Sequence, residues 1–330
     1  MAQSDIDGVG IGNAIVDVLS QAEDDFLAAH GLPKGLMTLI DAERADSLYG
    51  AMGPGVEMSG GSAANTIAGL ASLGGAGGFI GKVHDDQLGE VFRHDIQALG
   101  VAFDCAPTTD GPPTATSMIL VTPDAQRTML TFLGACVDLG PDDVDEDLIA
   151  ASKITYLEGY LWDRPSAKEA FLKAADAAHR AGRKVSLSLS DPFCVDRHRA
   201  EFLDLVERHV DILFANEEEI LSLYQTGDFD AALGHVRGHC EIAALTRSEK
   251  GSVIVNGEDV YVVEADPVDT LTDTTGAGDA YAAGFLHGVT TGRDLATCGR
   301  IGGICAGEVI SHLGARPSVS LKKLVGEKLA

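Results

Sequence analysis

The chain has 330 residues, 45% hydrophobic but only 5% aromatic, with 39 glycines. That is enough for one large α/β body with a small appendage, rich in tight turns and close helix–sheet contacts. A formal net charge of −26 argues against nucleic acid and anionic membranes as partners, since both are held by clustered Lys and Arg. The six cysteines show no CxxC spacing. No run approaches the ~20 apolar residues of a membrane span, and no basic-then-apolar leader opens the chain. Together these predict a reduced, cytoplasmic protein.

Ile6–Ile11 reads as a first strand that continues through Ala14–Val18 and carries Asp17 just past Gly12-Asn13. Gln21–Gly31 reads as a short acidic helix and Leu36–Ile40 as a strand. Met58–Asn65 is a Gly-rich turn feeding a helix of small and apolar residues that ends near Leu73. Gly60 and Gly61 allow close backbone approach, and Asn65 can donate and accept at once. With Asp17 they suit a polyhydroxylated ligand. An ordinary strand–helix turn and a surface carboxylate are the plainer readings. Phe79–Val83 is the next strand, and 85–99 a helix with Leu88, Val91, Phe92, Ile96 and Leu99 at helical spacing.

From Val101 to Leu133 the rhythm breaks. Thr114–Thr122 and Gln126–Phe132 read as antiparallel strands around a Pro123-Asp124-Ala125 turn. Arg127 follows that turn, placed either to clamp a phosphate or to face solvent. Beyond it, strands at 154–157, 185–189, 212–215, 242–246 and 252–255 alternate with helices at 165–181, 196–208, 217–225, 228–239, 276–290, 294–310 and 318–328. Such alternation predicts a mainly parallel sheet with helices on both faces. The predicted large body is 1–16, 41–103 and 133–330; a small β-rich lid, 17–40 and 104–132, is inserted into it.

There is no GxxxxGK[ST], GxGxxG or HExxH. His235 and His239 read as a polar helical face rather than metal ligands, and Trp162 as packing. Asn216-Glu217-Glu218-Glu219 stands at the C-terminal edge of a buried strand, where open α/β sheets bind ligands. Its glutamates suit Mg²⁺, directly or through water. They equally suit the first turn of a helix that Asn216 caps. In Asp273-Thr274-Thr275-Gly276-Ala277-Gly278-Asp279, a glycine turn feeds an apolar helix, Ala280 onward. A helix N-terminus favours anions, and Asp279 beside it could act as a base. As residues alone, a capped acidic helix start fits as well.

Asp273–Leu286 resembles the C-terminal signature of the PfkB (ribokinase-like) carbohydrate and nucleoside kinases. Gly60–Asn65, with Gly89 downstream, resembles the N-terminal one, although Ile67 stands where that family has a small residue. Asn216–Glu219 matches its NxxE motif. Thr246–Gly251 resembles its TxGxxG nucleotide loop, with Ser248 for the middle Gly. The resemblance covers nearly the whole chain and implies a ribokinase-like fold.

It also implies roles. Asp279 would take the proton from the acceptor hydroxyl, and the amides of Gly276, Ala277 and Gly278 would form an anion hole. Asn216 and Glu219 would hold Mg²⁺ and its waters near ATP. Thr246 and Gly251, with Asn216, Gly276 and Gly278, would border the nucleotide. Asp273 and Thr275 would line a loop for a monovalent cation such as K⁺. The Gly12–Asp17 stretch is similar to the GNxxxD start of adenosine kinases, whose Asp binds ribose hydroxyls with the Gly and Asn of the turn, here Gly60, Gly61 and Asn65. Gln126-Arg127-Thr128 and Leu133-Gly134-Ala135 resemble the same branch, whose lid Arg meets phosphates. The implied activity is ATP-dependent phosphorylation of a ribose-type primary hydroxyl, adenosine first. Ribose, fructose and 2-keto-3-deoxygluconate are rival acceptors, and a non-catalytic nucleoside or sugar sensor is the rival class. The expected assembly is a monomer or a homodimer.

Overall fold

The structure is a computed structural model and describes residues 6–124 and 126–330. Residues 1–5, which open the first predicted segment, and Ala125 of the predicted turn lie outside the described residues. In chain order the strands are β1 Ile6–Ile11, β2 Ile15–Gln21, β3 Met37–Leu39, β4 Gly55–Gly60, β5 Gly77–Ile80, β6 Ala115–Val121, β7 Arg127–Phe132, β8 Ser152–Glu158, β9 Lys184–Ser188, β10 Ile212–Asn216, β11 Ile242–Thr246, β12 Ser252–Asn256 and β13 Asp259–Val263. The helices are α1 Asp24–Ala29, α2 Ala42–Ala51, α3 Ser62–Ser72, α4 Gln87–Ala98, α5 Glu146–Ala151, α6 Pro165–Arg180, α7 Pro192–His209, α8 Glu217–Tyr224, α9 Phe229–Val236, α10 Ala277–Thr290, α11 Leu295–Val309 and α12 Leu321–Lys328.

The larger sheet runs β13-β12-β11-β10-β9-β8-β1-β5. Its strands are parallel from β11 to β5. Only β12 and β13 are antiparallel. The links β11–β12 and β12–β13 are too short to hold a crossover helix, so the chain must double back there. Within a strand, successive residues enter different cores. Leu213 and Ala215 join α6, α7 and α8 on one face, while Ile212 and Phe214 join α3 and α10 on the other. Both faces are thus covered, as the alternation predicts.

Ile67 on α3 is fully buried and packs toward β1 and β5. A Cβ on Gly10 would lie 2.7 Å from Ile67 Cγ1, and one on Gly77 2.7 Å from its Cγ2. The bulk that departs from the family pattern at Ile67 is therefore accommodated by glycines on the strands it faces.

The smaller sheet runs β3-β7-β6-β2-β4. Two expectations change here. The segment read as a continuation of β1 is instead β2, which leaves the large sheet after Gly12-Asn13-Ala14 and pairs with β6 and β4. The smaller sheet also takes in β4, from the stretch 41–103 assigned to the large body. Its glycines and mixed polarity masked a strand at the sheet edge. The predicted hairpin is present as β6 and β7. The edge strand β13 of the larger sheet was not predicted, because none of its residues is buried and it shows no apolar core run.

Gly10→Ala should lower stability by about 1–3 kcal/mol through overpacking. The same change should cost less in an Ile67→Ala background, because the clashing carbon is gone. Denaturant unfolding of the four chains checks this; equal costs in both backgrounds would contradict the packing account.

Candidate active site

A cavity of about 690 Å³ lies between the two sheets. The smaller sheet supplies Asp17 and Met129, the α3 N-terminus Gly61, Ser62 and Asn65, and the larger sheet Glu158, Asn216 and Thr246. The turn into α10 supplies Thr275, Gly276, Ala277, Gly278 and Asp279.

That turn needs glycine at Gly276, which is left-handed at φ 77°; a Cβ there would also lie 2.7 Å from Ala315. Gly278 faces open space. The Ala277 N–H closes on the Thr274 carbonyl at 3.2 Å, so an anion hole over 276–278 would have to share that donor. Asp279, in the first turn of α10, is gripped across the cavity by α3. Ser62 Oγ donates to its Oδ1 at 2.6 Å and Asn65 Nδ2 to its Oδ2 at 3.3 Å. Ser62 and Asn65 are three apart on one helical face, which is why both reach it. Burial pushes the Asp279 carboxyl up to about 6, against the pull of Ser62, Asn65 and Arg316.

Asp17 sits on β2 next to β4. A Cβ on Gly60 would lie 2.2 Å from its Oδ2, so the absent side chain of Gly60 makes room for the carboxylate rather than lining the cavity. Burial pushes Asp17 up to about 7; Arg316 opposes this, Asp279 adds to it and Arg127 opposes it. Gly61, at φ 96°, caps α3 and turns the chain from β4 into the site.

Ser62, Glu158 and Arg316 escaped the sequence reading. Glu158, at the end of β8, is 1% exposed and accepts from Asn13 Nδ2 at 2.6 Å and Ala63 N at 2.8 Å. Burial raises it to about 7 despite those donors. A lone charge ending an apolar strand was the available signal. Arg316 donates from Nε to Asn65 Oδ1 at 3.1 Å; its setting in Gly314-Ala315-Arg316-Pro317 carries no periodic signal.

Asn216 and Glu219 form a reciprocal capping box at the start of α8. Asn216 Nδ2 donates to Glu219 Oε1 at 2.7 Å, Asn216 N to Oε2 at 2.9 Å, and Glu219 N to Asn216 Oδ1 at 2.8 Å. Burial first, then the nearby Asp191 and Glu218 charges, push Glu219 up to about 7 despite the bond from Asn216 N. Glu217 instead pairs with Arg247 at 2.7 Å. Among the described residues no group of three or more His, Cys, Asp or Glu is arranged to hold a metal. The hard oxygen of Glu219 nonetheless suits Mg²⁺ carried mainly by phosphates and water.

Thr246 lines the cavity but Gly251 does not. Gly251 is left-handed, and a Cβ on it would meet Val263 O at 2.0 Å; it lets β12 start against the end of β13. Ser248, which replaces the middle glycine of the loop, is itself left-handed at φ 51°.

Arg127 and Asp273, given separate roles by the sequence, form a buried ion pair. Arg127 Nη1 also donates to Thr275 Oγ1 at 3.4 Å, and Asp273 Oδ1 accepts from Thr275 N at 3.0 Å. Arg127 Nε and Nη2 are buried without a hydrogen-bond partner among the described residues. His235 stacks on Tyr224 and His239 bonds its hydroxyl, which accounts for both without a metal. Trp162 packs between Phe171 and Phe202. Among the described residues no helix is long and apolar enough to cross a membrane.

The family model for "pfkB family carbohydrate kinase" matches residues 37–322. The crystal structure of adenosine kinase from Sinorhizobium meliloti is 54% identical, with TM-score 0.90, covering 99% of this chain and 100% of that one. A probable sugar kinase protein from Rhizobium etli CFN 42 is 52% identical, with TM-score 0.91 and 99% of both chains covered. An ATP-dependent ribose-1-phosphate kinase from Halopiger xanaduensis is 32% identical over 79% of this chain and 83% of that protein.

The raised Asp279 carboxyl predicts a stability signature. Its folded value, about 6, lies above the ordinary 3.8, so the folded state carries an unfavourable charge once ionised. Stability from this group is therefore full below about 4 and lost as pH rises through 6. Asp279→Asn should raise the thermal midpoint at pH 8, with the gain shrinking toward pH 4. A midpoint unchanged or lowered at pH 8 would contradict the burial account.

Proposed function

The chain belongs to the pfkB family of carbohydrate kinases, and on that premise we propose that it phosphorylates the primary hydroxyl of a ribose-type substrate, adenosine first. The family implies ATP as phosphoryl donor and Mg²⁺ as its metal. The observation that carries the residue assignment is Asp279: a half-buried carboxylate at a helix N-terminus, held by Ser62 and Asn65, in one cavity with Asp17.

In this reading Asp17, Gly61 and Asn65 hold the ribose hydroxyls. Asp279 takes the proton of the primary hydroxyl as its oxygen bonds to the γ-phosphorus of ATP. The bond from that phosphorus to the β,γ-bridging oxygen breaks, and ADP leaves. The α10 N-terminus, Gly276 to Gly278, faces the transferring group. Thr246 borders the nucleotide. Asn216 and Glu219 would hold Mg²⁺ through its waters, where it offsets phosphate charge. Arg127 exchanges Asp273 for a phosphate; that exchange frees Asp273 and Thr275 as oxygen ligands for a monovalent cation.

Two observations favour a nucleoside. The Gly12–Asp17 stretch resembles adenosine kinases, and the likeness to the Sinorhizobium meliloti adenosine kinase spans the chain. The lid side of the cavity also carries Met37, Leu39 and Met129, with Met37 and Leu39 more than half exposed. A base ring would cover that apolar surface, whereas a bare sugar would leave it wet. The likeness to the Rhizobium etli protein supports the rival, a sugar kinase.

ADP release should be measured with adenosine, ribose, fructose, 2-keto-3-deoxygluconate and ribose-1-phosphate. Adenosine should give the highest kcat/KM; a sugar exceeding it would replace the nucleoside reading. Asp279→Asn should lower turnover on the preferred acceptor by about 10²–10⁴-fold while ATP still binds. Near-normal turnover would remove Asp279 as the base.

A further inference from the structure

Resting on Asp279 as the base, we propose that Arg316 is a positioning residue of the reaction: it fixes the orientation of the Asn65 amide that holds Asp279, and it ties that amide to the lid strand β4. Arg316 lies in the loop between α11 and α12, and its side chain is 13% exposed. Nε donates to Asn65 Oδ1 at 3.1 Å. Nη1 reaches Asp95 Oδ2 on α4 at 3.5 Å. The same Asp95 oxygen accepts from Ser59 N at 2.8 Å and Ser59 Oγ at 2.5 Å, near the end of β4.

The logic is one of donor and acceptor ends. A guanidinium only donates; an amide has one accepting and one donating end. With Arg316 on its oxygen, Asn65 must present its nitrogen to Asp279, and it does, at 3.3 Å. Arg316 and Asp279 therefore enforce the same amide orientation from opposite ends. Without Arg316 the Asn65 oxygen is buried with no donor, and the amide loses one of its two anchors. A chain of contacts thus runs from Ser59 at the lid, through Asp95, Arg316 and Asn65, to the base.

Charge adds to geometry. The titratable groups acting on or felt by Asp279 are Asp17 on β2, Tyr156 and Glu158 on β8, Tyr160 just beyond it, and Arg316. Arg316 is the cation among them and lowers both Asp279 and Asp17. Its own burial is unfavourable, and Nη2 is buried without a hydrogen-bond partner among the described residues. Loop packing alone would not favour such a residue over an apolar one.

Three variants separate donor from charge. Arg316→Gln keeps an N–H donor and loses the charge, Arg316→Lys keeps the charge and an N–H donor but loses the planar fork, and Arg316→Met loses donor and charge alike. The first measurement needs no activity: carbon-13 NMR titration of the Asp279 carboxyl, assigned by its loss in Asp279→Asn. Its midpoint should rise by about one pH unit in the Gln and Met variants, the usual effect of losing a nearby opposite charge, and stay near wild type in Lys. The second is the pH profile of kcat. Its acidic limb should move up with the titration in Gln and Met. At pH 8, Met should lose about tenfold or more in kcat, as misplacement costs, with KM for ATP little changed, while Gln and Lys, which still donate to Asn65, keep most of their rate. Titrations and profiles that superimpose on wild type in Gln and Met would overturn the proposal. If Met does not fold, the Gln–Lys pair decides. If wild type phosphorylates no acceptor, the kinase reading fails, while the Asp279 titration still supports or overturns the Arg316 contact.

Discussion

A carboxylate held ionisable although burial opposes its charge is the constraint on which this site depends. Asp279 has lost much of its water, and burial alone would drive it toward the neutral acid. A neutral carboxyl cannot accept a proton, yet one in full contact with water would be a weak base. The structure holds an intermediate. Ser62 and Asn65 donate to the two oxygens, and Arg316 supplies positive charge behind Asn65. A carboxyl near 6 is ionised at neutral pH and still basic enough to take a proton.

The backbone around Asp279 follows from that requirement. Ser62 and Asn65 reach it only because α3 and α10 come close: a Cβ on Gly69 of α3 would lie 2.7 Å from the Cβ of Ala283 on α10. Small residues on both helices allow that approach. At the other wall, Gly60 leaves room for Asp17 against β4, which brings the lid sheet to the same cavity. Helix packing and lid placement thus converge on one space, from stretches more than two hundred residues apart.

What was legible in the sequence follows the same physics. The strand–helix alternation after Ile154 fixed a parallel sheet, because each crossover needs a helix and each buried strand reads as a continuous apolar run. Asp279, Asn65 and Gly61 were legible because glycine turns beside helix starts leave compact local patterns. The edge strands β4 and β13 were not, since an edge lacks the second buried face that makes a strand conspicuous. Glu158 and Arg316 were missed for a different reason. Their partners are distant in sequence: Glu158 meets Asn13 and Ala63, and Arg316 meets Asn65 and Asp95. Locally Arg316 looks like any surface charge, and Glu158 is marked only as a lone charge ending an apolar strand. The pairing of Arg127 with Asp273 was invisible for the same reason, and it changes how both are read.

The net charge then takes on a different meaning. A chain at −26 would repel a nucleoside triphosphate if its charge were uniform. It is not uniform at the site. Asp17, Glu158 and Glu219 are each raised to about 7, so near neutral pH part of the negative charge lining the cavity is titrated away. Arg127 and Arg316 bring two guanidinium groups to the same region, and the α10 N-terminus adds the positive end of its dipole. These features offset part of the carboxylate charge at the site, where Asp163 and Asp191 also line the cavity. Burial is the common cause: it makes ionising the carboxylates costly and strengthens the field of the arginines and helix end that an anionic substrate would meet.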